Sequence, residues 1–269
     1  MISEQLKELS RDLLQSGKVN VVIGYAEGKR EYVHAFFART PEEADQLMFD
    51  DKCIRNLAVY LRKKDIADFG KIAIISRTSV MRSIIQLAAE NQIKEGDVLV
   101  IGVTEDNEIK VFETLEDLAV HVKAIPFELS EEDTKKLAEI ESMKPAERWD
   151  FWMTEFSTCI KCYACRASCP LCYCTRCTVE CNQPQWVHVP SHELGNLEWH
   201  VMRAMHLAGR CINCGECRRA CPMDIPLNLL TQKLIVEIED NFGVKSAENP
   251  DDVFILATFD KDDKEDFIR

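Results

Sequence analysis

The sequence lacks the segments that would place a protein in or across a membrane. Its opening stretch, MISEQLKELSRDLLQ, alternates charged residues with leucine and so does not form the apolar run of a signal peptide. No stretch reaches the roughly 18 uninterrupted apolar residues that a membrane span needs. These absences predict a cytoplasmic protein, in which thiols stay reduced and clustered cysteines more often bind metal than form disulfides.

The sequence also lacks an excess of positive charge and the glycine pattern of a nucleotide-binding loop. Asp and Glu number 46 against 33 Lys and Arg, which gives a formal net charge of −13. Nucleic-acid binding depends on Lys and Arg contacts to phosphate, so this balance argues against a nucleic-acid partner. Gly24 and Gly28 are not part of a Gly-x-Gly-x-x-Gly pattern or a phosphate loop, and we interpret them as an ordinary turn.

Residues 1–125 are predicted to form an α/β domain around a mostly parallel sheet. Short apolar runs typical of buried strands occur at 19–25, 71–76 and 98–103. The intervening segments 52–63 and 80–91 carry apolar residues at helical spacing. Strands that alternate with helices in this way indicate a mostly parallel sheet.

The rest of the chain has a different composition. Twelve of the thirteen cysteines lie between 159 and 221, and only Cys53 lies outside this span. We therefore expect connecting helices over 126–156 and a mainly α-helical, ferredoxin-like iron–sulfur domain over 157–240. An acidic C-terminal tail is expected over 241–269.

Two runs of four cysteines share the spacing Cys-x-x-Cys-x-x-Cys-x-x-x-Cys-Pro: Cys159, Cys162, Cys165 and Cys169 before Pro170, and Cys211, Cys214, Cys217 and Cys221 before Pro222. Bacterial two-cluster ferredoxins have this spacing, and the fourth cysteine of each run binds the other cluster. Three thiolates on a tight loop, each separated from the next by two residues, can hold three irons of one cubane. The fourth cysteine of the run points away from that cubane. The predicted 4Fe-4S ligand sets therefore cross: Cys159, Cys162, Cys165 and Cys221, and Cys211, Cys214, Cys217 and Cys169.

Zinc is the alternative metal for clustered cysteines, but it needs only four ligands, commonly arranged as two separated pairs. Two complete runs, each followed by proline, favour iron–sulfur clusters. Four further cysteines lie between the runs: Cys172, Cys174, Cys177 and Cys181. They predict a third 4Fe-4S cluster, with zinc or free thiols as alternatives because their spacing is not a standard signature. Cys181 is the weakest ligand of this group. Cys53 could replace it, although a buried apolar role is the stronger expectation for Cys53.

The cysteine runs, in the contexts RWDFWMTEFSTCIKCYACRASCPLCYC and HLAGRCINCGECRRACPMDIPL, resemble the iron–sulfur subunits found beside hydrogenases, formate dehydrogenases and heterodisulfide-reductase-type complexes in anaerobes. Three segments of the first half resemble the beta subunits of deazaflavin-coenzyme-reducing hydrogenases and of formate dehydrogenases: CIRNLAVYL (53–61), KIAIISRTSVMRSIIQL (71–87) and ENQIKEGDVLVIGV (90–103). The resemblance implies redox partner subunits in a larger complex. The beta subunits bind FAD and reduce a deazaflavin.

The chain departs from the beta-subunit pattern at two places. The family has a Cys-Asp-x-Arg element after the middle strand, where only Arg82 matches, and a Cys-x-Gly after the last strand, where VTEDN stands. These departures disfavour FAD chemistry. The sequence therefore predicts an electron-transfer subunit with no catalytic residues of its own. Two alternatives stay open: an FAD-containing subunit acting on a deazaflavin or NAD(P)H, and a structural scaffold with zinc in the third cysteine group.

Overall fold

The computed structural model describes residues 2–253 and 255, which belong to two compact units. The first unit comprises residues up to 125 together with 247–253, and the second comprises 126–246 and 255. No helix of these described residues is both long enough and apolar enough to cross a membrane. Most of the predicted acidic tail, from 254 onward except 255, lies outside the described residues.

The first unit contains, in chain order, α1 (Ile2–Gln15), β1 (Val21–Glu27), β2 (Val33–Ala38), β3 (Leu47–Met48), α2 (Lys64–Ala67), β4 (Ile72–Ser76), α3 (Thr78–Ala89), β5 (Val98–Val103), β6 (Ile109–Phe112) and α4 (Leu115–Lys123). Short 3-10 turns lie between some of these elements, at Lys29–Glu31, Glu43–Gln46 and Leu57–Tyr60. The three strands expected from apolar runs are β1, β4 and β5, and the α/β class is confirmed.

The sheet is mixed, so the expectation of a mostly parallel sheet is wrong. The strand order is β2-β1-β4-β5-β6, and β3 also pairs with β1. Only the β1–β4 and β4–β5 pairs are parallel. The β1–β2, β1–β3 and β5–β6 pairs are antiparallel. The physical reason is loop length: residues 28–32 and 104–108 are too few for the crossover that parallel neighbours require, so β2 and β6 fold back on their predecessors.

Two local expectations for the first unit are also wrong. Gly24 lies inside β1 opposite Phe36, not in a turn, and a side chain there would meet Leu47 Cδ2 at 2.6 Å. Residues 52–63 form no long helix. Asn56 interrupts that segment because its side chain accepts a hydrogen bond from the Ala58 amide and donates one to Ser83 Oγ at 2.8 Å. The segment therefore begins a short 3-10 turn anchored on α3.

The regular elements described in the second unit are helices: α5 (Glu131–Ser142), α6 (Pro145–Ser157), α7 (Ala164–Ala167), α8 (Glu193–Leu207), α9 (Glu216–Arg219) and α10 (Leu227–Phe242). Helix α5 begins after a capping Ser130, whose Oγ accepts a hydrogen bond from the Asp133 amide at 3.0 Å. The one-turn helices α7 and α9 each end shortly before the last cysteine of a run.

Cysteines form part of the buried core of the second unit. One cluster of buried residues combines apolar side chains with cysteines from both runs: Phe156, Cys159, Cys165, Trp199, Cys217, Ile225 and Leu227. Helix α8 faces this core with residues at helical spacing, among them Asn196, Trp199, His200 and Arg203. The packing of this core therefore also fixes the positions of its cysteine thiols.

Candidate iron–sulfur site

The first three cysteines of each run lie on loops of the same backbone shape, the first loop (159–165) and the second loop (211–217). Each loop has left-handed residues two and four positions after its first cysteine: Lys161 and Tyr163 in one, Asn213 and Gly215 in the other. Left-handed backbone is unfavourable for residues other than glycine, so its presence at three such positions indicates a constrained geometry.

This backbone shape turns amide groups toward sulfur. The Lys161 amide donates to Cys159 Sγ at 3.4 Å. In the second loop, the Asn213 amide donates to the Cys211 thiol and the Glu216 amide to the Cys214 thiol. Successive amides that converge from alternating right- and left-handed residues form concave sites for anions, including iron–sulfur clusters.

A buried amide side chain from a neighbouring helix holds each loop in place. Asn196 of α8 is 0% exposed, and its Nδ2 donates to the carbonyl oxygens of Phe156 at 2.9 Å and Cys159 at 3.0 Å. Gln232 of α10 does the equivalent for the second loop, since its Nε2 donates to Asn213 Oδ1 at 2.8 Å. The same Nε2 donates to Asp133 Oδ2 at 2.8 Å. The two loops are therefore fixed by tertiary hydrogen bonds as well as by their own backbone.

The structure brings Cys221, the last cysteine of the second run, to the first loop. Cys159, Cys162, Cys165 and Cys221 line one cavity, which has about 300 Å³ of empty space, part of it open to solvent. Burial raises the pKa of Cys159, and the charges of Cys221 and Cys162 act in the same direction. Apolar side chains, including Trp199 and Leu227, complete the cavity wall.

Cys169, the last cysteine of the first run, lies correspondingly near the second loop. Burial raises the pKa of Cys214, and the charge of Cys169 is the next cause. Burial also raises the pKa of Cys211 to about 11, with contributions from Cys217 and Cys169 in the same direction. Because these thiols must lose their protons to bind a metal, metal binding here would release protons.

The additional cysteines between the runs do not all lie together. Cys172, Cys174 and Cys177 line a second cavity with about 1010 Å³ of empty space, which includes open solvent. The same cavity is lined by cationic and apolar residues of the second unit, among them Arg166, Arg203, His206, Arg210, Met202 and Met205. Cys181 is an exposed cysteine whose thiol is hydrogen bonded to Arg176. Cys172 also faces Cys169: their hydrogen bond lowers the pKa of Cys169 and raises that of Cys172.

Cys53 is a fully buried residue of the first unit. Its Sγ accepts a hydrogen bond from the Asp50 amide at 3.4 Å and lies 3.5 Å from Asp50 Oδ1. Burial raises the pKa of Cys53 to about 12. These contacts are those of a buried small side chain, in agreement with the stronger of the two expectations for this residue.

Sequence reasoning missed the residues that hold and surround the loops, namely Asn196, Gln232, Asp133 and Arg203. A weak signal was present for α8, where Asn196 and Arg203 fall on the same helical face as Trp199. Polar residues on an otherwise apolar face are candidates for buried hydrogen bonds. The signal for Gln232 is weaker, because its partners Asp133 and Asn213 are remote in sequence.

The donor set fits 4Fe-4S clusters, which are bound by four cysteine thiolates each. All thirteen cysteines lie among the described residues, and each is a free thiol. The inward amides of both loops and the buried Arg203 guanidinium complement negative charge. Within the described part of the chain, no three or more His, Cys, Asp or Glu side chains already stand in the arrangement of a metal site.

Comparison with known proteins gives a partial match. The chain is 33% identical over 155 residues to the protein named F420-dependent formate dehydrogenase subunit beta from Methanocaldococcus jannaschii. The matched region is 56% of this chain and 39% of that relative, so the chain spans well under half of the relative's length. The chain matches no protein-family model.

Proposed function

We propose that this chain is an iron–sulfur electron-transfer subunit of a cytoplasmic, multi-subunit oxidoreductase of the formate dehydrogenase type. The observation that carries the proposal is the pair of matching cysteine loops, each approached by the last cysteine of the other run. When bound, 4Fe-4S clusters accept and release single electrons at potentials set by their surroundings. The chain's own residues supply thiolates, inward amides and shielding from water.

The proposed ligands are the crossed sets. For the first cluster they are Cys159, Cys162, Cys165 and Cys221, and for the second Cys211, Cys214, Cys217 and Cys169. The shared cavity supports the first set. The nearness of Cys169 to the second loop supports the second set. Both sets are partly closed off from solvent by the apolar core around Trp199, and burial of this kind tunes cluster potentials.

We extend the proposal to a third cluster at Cys172, Cys174 and Cys177. These cysteines share the lining of their cavity with Arg166, Arg203 and Arg210, whose positive charge suits an anionic cluster. Cys181 lies apart from that lining, and His206 is the nitrogen ligand that the lining offers in its place. Cys53 is not part of this proposal, because its thiol is engaged inside the first unit.

The relative supports the assignment to a larger complex. A protein named as a subunit of formate dehydrogenase shares a third of its aligned residues with this chain. We therefore propose other redox subunits as the partners, in a hydrogenase, formate dehydrogenase or heterodisulfide-reductase-like assembly. The net charge of −13 argues against nucleic acid as a partner.

The test is metal, sulfide and flavin analysis of protein purified without oxygen. We expect about twelve irons and as many acid-labile sulfides per chain, with no flavin, because each cluster contributes four of each. About eight irons with one FAD would instead identify a flavoenzyme subunit. One zinc per chain with no iron in the third site would identify a scaffold role for that site.

Single variants in the same experiment test the ligand sets. Cys159→Ala and Cys221→Ala should abolish the same electron paramagnetic resonance signal of the reduced protein, and Cys211→Ala should abolish a different one. Cys177→Ala should remove about four irons, whereas the control Cys181→Ala should remove none. Loss of one common signal in Cys221→Ala and Cys211→Ala would show that the sets do not cross.

A further inference from the structure

Arg203 is a buried cation in the second unit, on the face of α8 that points into the core. It is only 5% exposed. Its Nη2 donates to the Cys165 carbonyl oxygen at 3.1 Å, and its guanidinium is hydrogen bonded to the Cys217 thiol. Its buried Nε has no hydrogen-bond partner. Among the described residues, no carboxylate forms an ion pair with it.

A charge in this position needs compensation. A guanidinium does not lose its proton in proteins, and leaving a buried charge unpaired is strongly unfavourable. The acidic groups that act on Arg203 are thiols: Cys169, Cys217, Cys165 and Cys172. A set of neutral thiols does not balance a cation, whereas the same cysteines as metal-bound thiolates do. Thiolates of these cysteines, as a metal centre would hold them, are therefore the counter-charge that the surroundings of Arg203 offer.

Arg203 reaches both proposed ligand sets at once. Cys165 belongs to the first set, while Cys169 and Cys217 belong to the second. Other arginines near the loops differ in their surroundings. Arg218 is bonded to Asp224 Oδ1 at 3.1 Å, and its side chain is 39% exposed, so its charge is both paired and solvated. Arg203 is thus distinguished by burial and by its position between the two sets.

We propose that Arg203 is the shared counter-charge of the two ferredoxin-type clusters and that it raises the reduction potential of both. This inference rests on the proposed iron–sulfur function. Reduction adds one negative charge to a cluster, and a fixed cation in a poorly solvated site stabilises the reduced form more than the oxidised form. Net charge and hydrogen bonds to sulfur are established means by which proteins set cluster potentials.

The test compares two variants of Arg203 with a matched control. Arg203→Gln removes the charge but retains an amide donor, Arg203→Lys retains a charge, and Arg218→Gln removes an exposed charge beside Cys217.

Iron and sulfide are measured first, and both clusters are then titrated by electron paramagnetic resonance at controlled potential. In Arg203→Gln we expect the ratio of reduced to oxidised cluster at a fixed potential to fall at least tenfold for both, equivalent to about 59 mV for one electron. Arg203→Lys and Arg218→Gln should change that ratio by less than about threefold, because one keeps the charge and the other loses only a solvated one.

The outcomes separate this inference from the function on which it rests. If the unmodified protein contains no iron, the proposed function fails. If Arg203→Gln keeps its iron and both potentials stay unchanged, or only one of them shifts, the shared counter-charge is wrong. If Arg203→Gln does not assemble clusters, Arg203→Lys decides: a tenfold fall in that variant would also overturn the inference, because its charge is retained.

Discussion

Cys53 and Cys181 are the two cysteines that are not ligands of any proposed cluster, and they differ completely in exposure. Cys53 is enclosed in the first unit, whereas Cys181 is exposed in the second. The reactive form of a cysteine is its thiolate, so reactivity follows both access and pKa. The two residues therefore provide an internal comparison of a buried thiol with an exposed thiol.

We expect an alkylating reagent at pH 8 to modify Cys181 readily in the iron-loaded protein and to leave Cys53 unmodified. Burial raises the pKa of Cys53 to about 12, so its thiolate fraction at pH 8 is about a thousandfold below that of an ordinary cysteine. Peptide mass spectrometry would report both positions in one sample, with urea-denatured protein as the control for complete labelling. Protection of Cys181 that disappears when iron is chelated would instead identify it as a ligand.

At the scale of secondary structure, continuous apolar runs were sufficient to predict β1, β4 and β5. These strands form the parallel centre of the sheet and are buried on both faces. Strand β6 was not predictable in this way, because its residues Ile109–Phe112 are mostly accessible and give no apolar run. The failed helix over 52–63 has a tertiary cause, since Asn56 is held by Ser83 of α3. Periodicity within a segment carries no information about such a partner.

The candidate site shows the same division between local and remote information. The cysteine spacing is local, and the crossed ligand sets that rest on it remain a prediction. The supports of the loops are remote: Asn196 reaches Cys159 across 37 residues, and Gln232 reaches Asp133 across 99 residues. The sequence showed no sign of Arg203 for a related reason. Only the folded core shows that Arg203 is buried and that no carboxylate of the described residues forms an ion pair with it.

The support of the second loop by α10 can be tested with Gln232→Leu. This change removes the donor to Asn213 and to the Asp133 carboxylate, and a hydrogen bond to a charged group contributes about 1.5–3 kcal/mol. We expect the cluster of the second loop to lose iron to a chelator at least about tenfold faster. The cluster of the first loop should release iron at its original rate, because Asn196 is unchanged.

Asn241→Leu is the matched control for that variant. Asn241 also lies on α10, but its Nδ2 donates only to Glu237 on the same helix, and it is distant in sequence from either loop. Iron release in this variant should equal that of the unmodified protein. Faster release from both clusters in Gln232→Leu would mean that α10 supports the whole second unit and not the second loop in particular.

For the whole molecule, the two units are stabilised by different means. The first is built on a sheet whose central strands are mostly apolar and buried, and its single cysteine is an ordinary core residue. The second contains helices around a core with buried cysteines, and Arg203, which forms no ion pair with a carboxylate of the described residues, is buried there as well. If the proposed clusters bind here, they balance that cation and hold the thiols in place. Cluster binding as proposed would therefore also contribute folding free energy to the second unit.

Iron removal should consequently unfold one unit and spare the other. After anaerobic chelation, we expect the backbone amides of α8 and α10 to exchange with deuterium at close to unfolded rates, while those of β1, β4 and β5 stay protected as before. Re-addition of iron and sulfide should restore protection in α8 and α10, and re-addition of zinc alone should not, because both cysteine runs have the spacing of 4Fe-4S ligands and not of separated zinc pairs. Equal loss of protection in both units would contradict this division, since the first unit has a complete apolar core that contains no proposed ligand.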